Sequence, residues 1–144
     1  MRRSCRAARE ILEEVSLAVV PGVSTGEIDK LAARLINDRG GRSPFLHYRG
    51  FPANICISVN DEIVHGIPSG RKLRNGDLLK LDVTIQKDGY MADAAESVIV
   101  GGDTINLSAI GVRLADCARR VFIAAMQVAL AVYRVRDIGR VVER

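Results

Sequence analysis

Cysteine is scarce in this 144-residue sequence. Cys5, Cys56 and Cys117 are odd in number and far apart. They form neither a disulfide framework nor a metal-binding pair, which fits a reducing cytoplasm. No secretory signal is legible, because the first residues alternate charge with apolar side chains. The longest apolar run, 121–133, is broken by Gln127 and falls short of the ~20 residues a membrane span requires. Repeats, linkers and low-complexity stretches are lacking too. Charge of one sign is not concentrated: Arg2, Arg3, Arg6 and Arg9 are followed at once by Glu10, Glu13 and Glu14. That pattern reads as a solvated helix face and gives no expectation of a specific nucleic-acid partner.

What is present describes a globular chain. It is 48% hydrophobic and 26% charged, with a formal net charge of +4, and long enough for one domain with a real core. Ala8, Ile11, Leu12, Val15, Ala18 and Val19 recur at helical spacing and predict an amphipathic helix to about Val20, stopped by Pro21-Gly22. Ser24-Thr25-Gly26-Glu27 reads as a capping box opening a second helix, whose buried stripe is Ile28, Leu31, Ala32, Leu35 and Ile36. Gly40-Gly41 ends it. Residues 42–53 are a loop carrying Phe45, Tyr48 and Phe51. The stretch "NICISV" predicts a strand, and "EIVHGIP" a shorter one running into a loop. Residues 78–86 and 90–100 predict a hairpin. A long helix spans 108 to about 133, and Asp137 is expected to cap another.

The hairpin contains an anomaly. Strand interiors are poor in Asp, yet Asp82 and Asp93 stand eleven residues apart among Leu, Val, Ile and Ala. Asp88-Gly89 is a two-residue turn signal, because type I′ turns need positive φ at both central positions. Such a turn faces Lys87 with Tyr90, Asp93 with Thr84 and Asp82 with Ala95. The carboxylates become diagonal neighbours on one face, with Cβ atoms roughly 7 Å apart. They could bracket one metal, or two about 3.5–4 Å apart. A three-residue turn would place them on opposite faces. Lys80, Thr84, Gln86 and Ser97 share the side, so the hairpin alone also suits a plain solvent-facing surface.

The segment before the hairpin decides between these readings. Phe51-Pro52, Cys56, Ser58-Val59-Asn60, His65-Gly66-Ile67-Pro68, Asn75-Gly76-Asp77, Asp82-Val83, Lys87-Asp88-Gly89-Tyr90 and Asp93 appear in an order and spacing that closely resemble the type I methionine aminopeptidases. The flanking helices match in pattern, so the resemblance covers essentially the whole chain. It implies an α+β pita-bread fold, here an antiparallel sheet with helices packed on one face, forming one domain over residues 1–144. It implies a cytoplasmic enzyme that removes the initiator methionine from nascent polypeptides with two divalent metal ions (Co, Mn, Fe or Zn). Asp82 would ligate one metal and Asp93 bridge both, and His65 would hydrogen-bond the substrate near the scissile bond. Tyr48, Phe51 and Cys56 fall where the family lines its methionine pocket, with Phe45 at the edge.

The departures are informative. Met91-Ala92-Asp93-Ala94-Ala95 replaces the family's usual His-Gly-Asp followed by Thr or Ser, although the ligand itself stays. The family's further His ligand follows the "DIGR" helix, and two Glu ligands come later. Here Asp137-Ile138-Gly139-Arg140 is present, the sequence ends at Arg144, and His47 is the only other histidine. The expectation is therefore an N-terminal half, inactive alone, whose partner is a C-terminal half or a second copy meeting its exposed sheet surface. Two alternatives stand beside it: a non-catalytic homologue serving as a binding module, and a proline-specific peptidase of the same fold.

Overall fold

A computed structural model describes residues 1–101 and 109–143. They fall into two compact units, residues 1–108 and 109–144. In the first, helix α1 (Arg2–Leu17) and helix α2 (Thr25–Asp38) precede a three-stranded antiparallel sheet of β1 (Cys56–Val59), β2 (Leu78–Lys87) and β3 (Tyr90–Ile99), in the order β1-β2-β3. In the second, helix α3 (Ala109–Val128) is followed by helix α4 (Val135–Val142). Among the described residues no helix is long and apolar enough to cross a membrane.

The capping box at the start of α2 forms as its sequence predicts. The Glu27 backbone N–H donates to Ser24 Oγ at 3.2 Å, and the Ser24 backbone N–H donates to the Glu27 carboxylate at 2.7 Å. Lys72 adds an ion pair at 3.0 Å. These bonds, with the serine's first, hold the Glu27 carboxyl down at about 2. Helix α2 closes at Arg39, and Gly40 takes the left-handed backbone (φ +64°) that lets the chain leave it.

The hairpin turns at Asp88 (φ +53°) and Gly89 (φ +78°), both in the left-handed region a two-residue turn demands. Its register follows: Lys87 pairs with Tyr90, Thr84 with Asp93, and Asp82 with Ala95. Side chains alternate across a strand, so odd and even residues of β2 serve different faces. Leu79, Leu81, Val83 and Ile85 are fully buried with Ile57 and Val59 of β1, against Ile11, Leu12 and Val15 of α1 and Ile28, Ala32 and Leu35 of α2. This is the core, and it lies on the helix-bearing side of the sheet. The even residues Lys80, Asp82, Thr84 and Gln86 occupy the other face.

Several elements differ from expectation. Helix α1 ends at Leu17 rather than Val20. The "EIVHGIP" segment is not a strand but an irregular loop, with Ile63 82% exposed and Val64 65% exposed. Residues 48–50 form a short helical turn inside the aromatic loop. Helix α3 ends at Val128, and its expected start at Ser108 lies outside the described residues. Asp137 is the third residue of α4 rather than the residue before it, and it caps from there, its carboxylate accepting the Arg134 backbone N–H at 2.9 Å.

Candidate metal centre

The site is built on the even face of the hairpin. The Asp82–Ala95 pair stands two residue pairs away from the Thr84–Asp93 pair, so both carboxylates belong to the same face. Cys56 of β1 is the direct partner of Asp82 on the other side. One row across the sheet therefore reads thiol, carboxylate, methyl (Cys56, Asp82, Ala95), and the adjacent row reads Thr84, Asp93.

The carboxylates and the thiol on this face influence one another's ionisation. Burial first, and then the neighbouring Asp93 carboxylate through its charge and a side-chain hydrogen bond, raise the Asp82 carboxyl to about 6. His65 acts in the opposite direction and lowers it. Cys56 is buried, and desolvation first, then the charges of Asp82, Asp93 and Asp29, push its thiol up to about 11. It is therefore a neutral thiol and packs as a small apolar group.

Two atoms on this face are unsatisfied. Asp82 Oδ1 and Thr84 Oγ1 are buried side-chain oxygens with no hydrogen-bond partner among the described residues. Buried polar atoms are normally paired, so an orphaned carboxylate oxygen is a vacant acceptor. Two carboxylates, one with a free oxygen, match the hard donors that divalent cations prefer. They fit as part of a donor set, not as a closed one. Among the described residues no three His, Cys, Asp or Glu side chains are grouped closely enough to hold a metal ion.

His65 owes its place to its neighbour. Gly66 N–H donates to Ser58 Oγ at 3.0 Å, and Ile57 N–H donates to Gly66 O at 2.9 Å. A Cβ on Gly66 would lie 2.2 Å from Ile57 O, so only glycine allows this approach. His65 itself is exposed and adopts φ +57°, a left-handed conformation that costs on the order of 1–3 kcal/mol in a non-glycine residue. Asn60 and Lys80 brace the loop's start. Leu78 N–H donates to Asn60 Oδ1 at 2.9 Å, and Lys80 Nζ donates to Asn60 O at 2.6 Å.

The aromatic residues are divided. Phe45 and Phe51 pack edge to face, 6.1 Å between centroids. Tyr48 is 62% exposed, and the Arg49 guanidinium stands 5.5 Å from its ring centre. A clamp that sequence reasoning missed joins this loop to β1. The Asp29 carboxylate accepts from the backbone N–H groups of Asn54 (2.8 Å) and Ile55 (3.0 Å) and from Asn54 Nδ2 (3.0 Å). Ser43 Oγ donates to Asn54 O at 2.5 Å and accepts from Phe45 N–H at 3.1 Å. The missed signal was Asp29 itself, a short acidic residue beside the buried Ile28.

Residues 1–144 match the family model described as metallopeptidase family M24. The chain belongs to that family, whose name implies divalent metal ions. Within it, a methionine aminopeptidase of Escherichia coli (strain K12) is 36% identical over 146 residues, an alignment that takes in 100% of this chain and 54% of the relative. A solved methionine aminopeptidase from Thermotoga maritima superposes with a TM-score of 0.82 at 29% identity, over 90% of this chain and 51% of that one. A prolidase from Pyrococcus furiosus gives a TM-score of 0.70 at 16% identity, over 85% of this chain and 34% of that one, and shares the fold alone. The fold is thus the α+β pita-bread arrangement that the sequence predicts, and the chain spans about half the length of the curated relatives it matches.

Proposed function

We propose that this chain supplies the carboxylate and methionine-recognising part of a metal-dependent methionyl aminopeptidase acting on nascent polypeptides that begin with Met. The observation that carries the reading is the shared face of Asp82 and Asp93, with Asp82 Oδ1 buried and unpartnered, in a chain of family M24.

Asp82 would hold one divalent ion and Asp93 would be shared between two, with Co, Mn, Fe or Zn as the candidates. A bound divalent metal supplies a water that ionises near neutral pH and polarises the scissile carbonyl. The chain's own residues do the rest that can be assigned here. Asp82 and Asp93 concentrate negative charge on one face. His65, beside them, donates a hydrogen bond near the scissile bond and steadies the charge that develops there. The neutral Cys56 thiol and the Phe45 and Phe51 rings offer the soft, polarisable surface that suits a thioether, with Tyr48 at the mouth. The remaining metal ligands and the general base belong to the part of the family's length that this chain does not span, so the chain is inactive until complemented.

The test is hydrolysis of Met-Ala-Ser with added Mn²⁺ or Co²⁺. It compares the chain alone, the chain mixed with the C-terminal half of a homologous methionine aminopeptidase, and the same mixture carrying Asp82→Asn. Turnover only in the unsubstituted mixture is expected. Full turnover by the chain alone would refute the division of labour. Faster release from X-Pro peptides than from Met-Ala-Ser would assign the site to a proline-specific enzyme.

A further inference from the structure

Asp29 stands on α2, beside the buried Ile28, and its hydrogen bonds among the described residues go to one short segment. Its carboxylate accepts the Asn54 backbone N–H at 2.8 Å, the Ile55 backbone N–H at 3.0 Å and Asn54 Nδ2 at 3.0 Å. It makes no ion pair among the described residues. Ala53 and Ile55, on either side of Asn54, are buried, so the two backbone donors lie at the margin of the core, where a lost acceptor is costly. Three N–H groups on one carboxylate make a charge-assisted anchor.

The anchor continues across the loop. Asn54 O accepts from Ser43 Oγ at 2.5 Å, and Ser43 Oγ accepts from Phe45 N–H at 3.1 Å. Phe45 in turn packs edge to face on Phe51. The loop 43–54 is thus closed at its neck by Ser43 and Asn54 and tied to α2 by Asp29. Inside it, His47 (φ +68°) and Arg49 (φ +50°) hold a left-handed backbone, which in non-glycine residues persists only where the surroundings impose it. Cys56, the residue after Ile55, faces Asp82. The two carboxylates are held by the hairpin register, and Gly66 is held by its contact with β1. Neither of these supports passes through Asp29.

We infer that Asp29 is a positioning residue for the substrate's methionine side chain, acting from α2 by fixing the neck of the loop that carries Phe45, Tyr48 and Phe51. The inference rests on the function proposed above and adds to it a residue outside the pocket. Losing the clamp shifts the pocket walls and leaves the face of Asp82 and Asp93 in place. The loss therefore falls on side-chain binding, which the ground state and the transition state share, and such a loss raises KM without lowering kcat.

Asp29→Asn tests this. Whichever way the new amide is turned, one of its N–H groups meets an N–H of residue 54 or 55. The reciprocal swap, Asp29→Asn/Asn54→Asp, restores the side-chain bond with its direction reversed. Each is measured on Met-Ala-Ser with Mn²⁺, in the chain mixed with the C-terminal half of a homologous methionine aminopeptidase. The expected result is a KM about tenfold higher in Asp29→Asn at nearly unchanged kcat, and a KM returned most of the way in the swap. Ser43→Ala, a milder cut in the same chain of bonds, raises KM in the same direction by less. A lower kcat at unchanged KM, the mark of a smaller folded fraction, would make Asp29 a structural residue and overturn the inference. A swap no better than Asp29→Asn alone would overturn it as well. Both results leave the proposed function standing, because the unsubstituted mixture still turns over. No turnover in that mixture would overturn the proposed function, and this inference with it.

Discussion

Cys56 and Asp82 are direct partners across the β1–β2 ladder, a thiol facing a carboxylate. A thiol that stayed ionised there would repel Asp82, but desolvation lifts it to about 11 and keeps it neutral. Asp82 is left with one charged neighbour on β3, Asp93, and one vacant oxygen. That balance governs what the site does when a cation arrives or when pH changes.

On the proposed metal site, Mn²⁺ is expected to raise the thermal stability of the chain, and Asp93→Asn to remove the gain. A ligand at about ten times its dissociation constant stabilises by about 1.4 kcal/mol. The check is a thermal melt across a Mn²⁺ titration. An equal shift in the Asp93→Asn chain would mean that the ion binds elsewhere.

Removing the Asp82 charge stabilises the chelator-treated protein at neutral pH. In the fold this carboxyl titrates at about 6, against 3.8 as its ordinary value. Between those values the unfolded chain binds fewer protons, so stability falls as pH rises, and the loss is complete above about 6. Asp82→Asn abolishes that slope. At pH 7 it gains about 1 kcal/mol, after discounting the shift for the site's partial exposure to solvent. Urea unfolding at pH 4.5 and pH 7 measures both quantities, and a wild-type chain more stable at pH 7 through this group would contradict the sign.

Gly66→Ala dislodges His65. The added methyl meets Ile57 O at 2.2 Å, and the segment must move away from β1. A cost of about 1–3 kcal/mol is expected, together with altered imidazole resonances of His65 in an NMR spectrum. Unchanged resonances would show that the close approach does not position the histidine.

Ser24→Ala loses the cap of α2 and lowers stability by about 1 kcal/mol. The associated Glu27 carboxyl sits at about 2, so its stabilising contribution is complete above pH 4.5 and fades as pH falls toward 2. Acid titration of the wild type and of Ser24→Ala, followed by circular dichroism, should therefore show a gap that narrows toward pH 2 but persists, because the Glu27 N–H bond to Ser24 Oγ does not titrate.

The hairpin register and the second helix were legible because short, strongly constrained signals fix them. Asp88-Gly89 admits one turn geometry, and Ser24 with Glu27 closes one cap. The loop around His65 was not, because the β-branched Ile63, Val64 and Ile67 imitate a strand, whereas their side chains in fact face outward. Its position depends on Gly66 approaching β1, a contact between residues eight or nine apart that no local pattern announces. The Asp29 clamp was hidden for the same reason. Its partners lie 25 and 26 residues away. The arginines of α1 read as a solvated helix face, and Arg2, Arg3, Arg6 and Arg9 are exposed, while Glu10 and Glu14 reach across to Arg39 at the end of α2.

The division of β2 into odd and even residues has an evolutionary consequence. Leu81→Ala empties a fully buried position and costs about 2–5 kcal/mol, whereas changes at Lys80 or Thr84 leave the core filled. Selection for folding therefore acts on one half of the strand and selection for chemistry on the other, within the same ten residues. A descendant that lost Asp82 and Asp93 would keep its sheet, and a lineage could change its reaction, or abandon catalysis for binding, without passing through an unfolded intermediate.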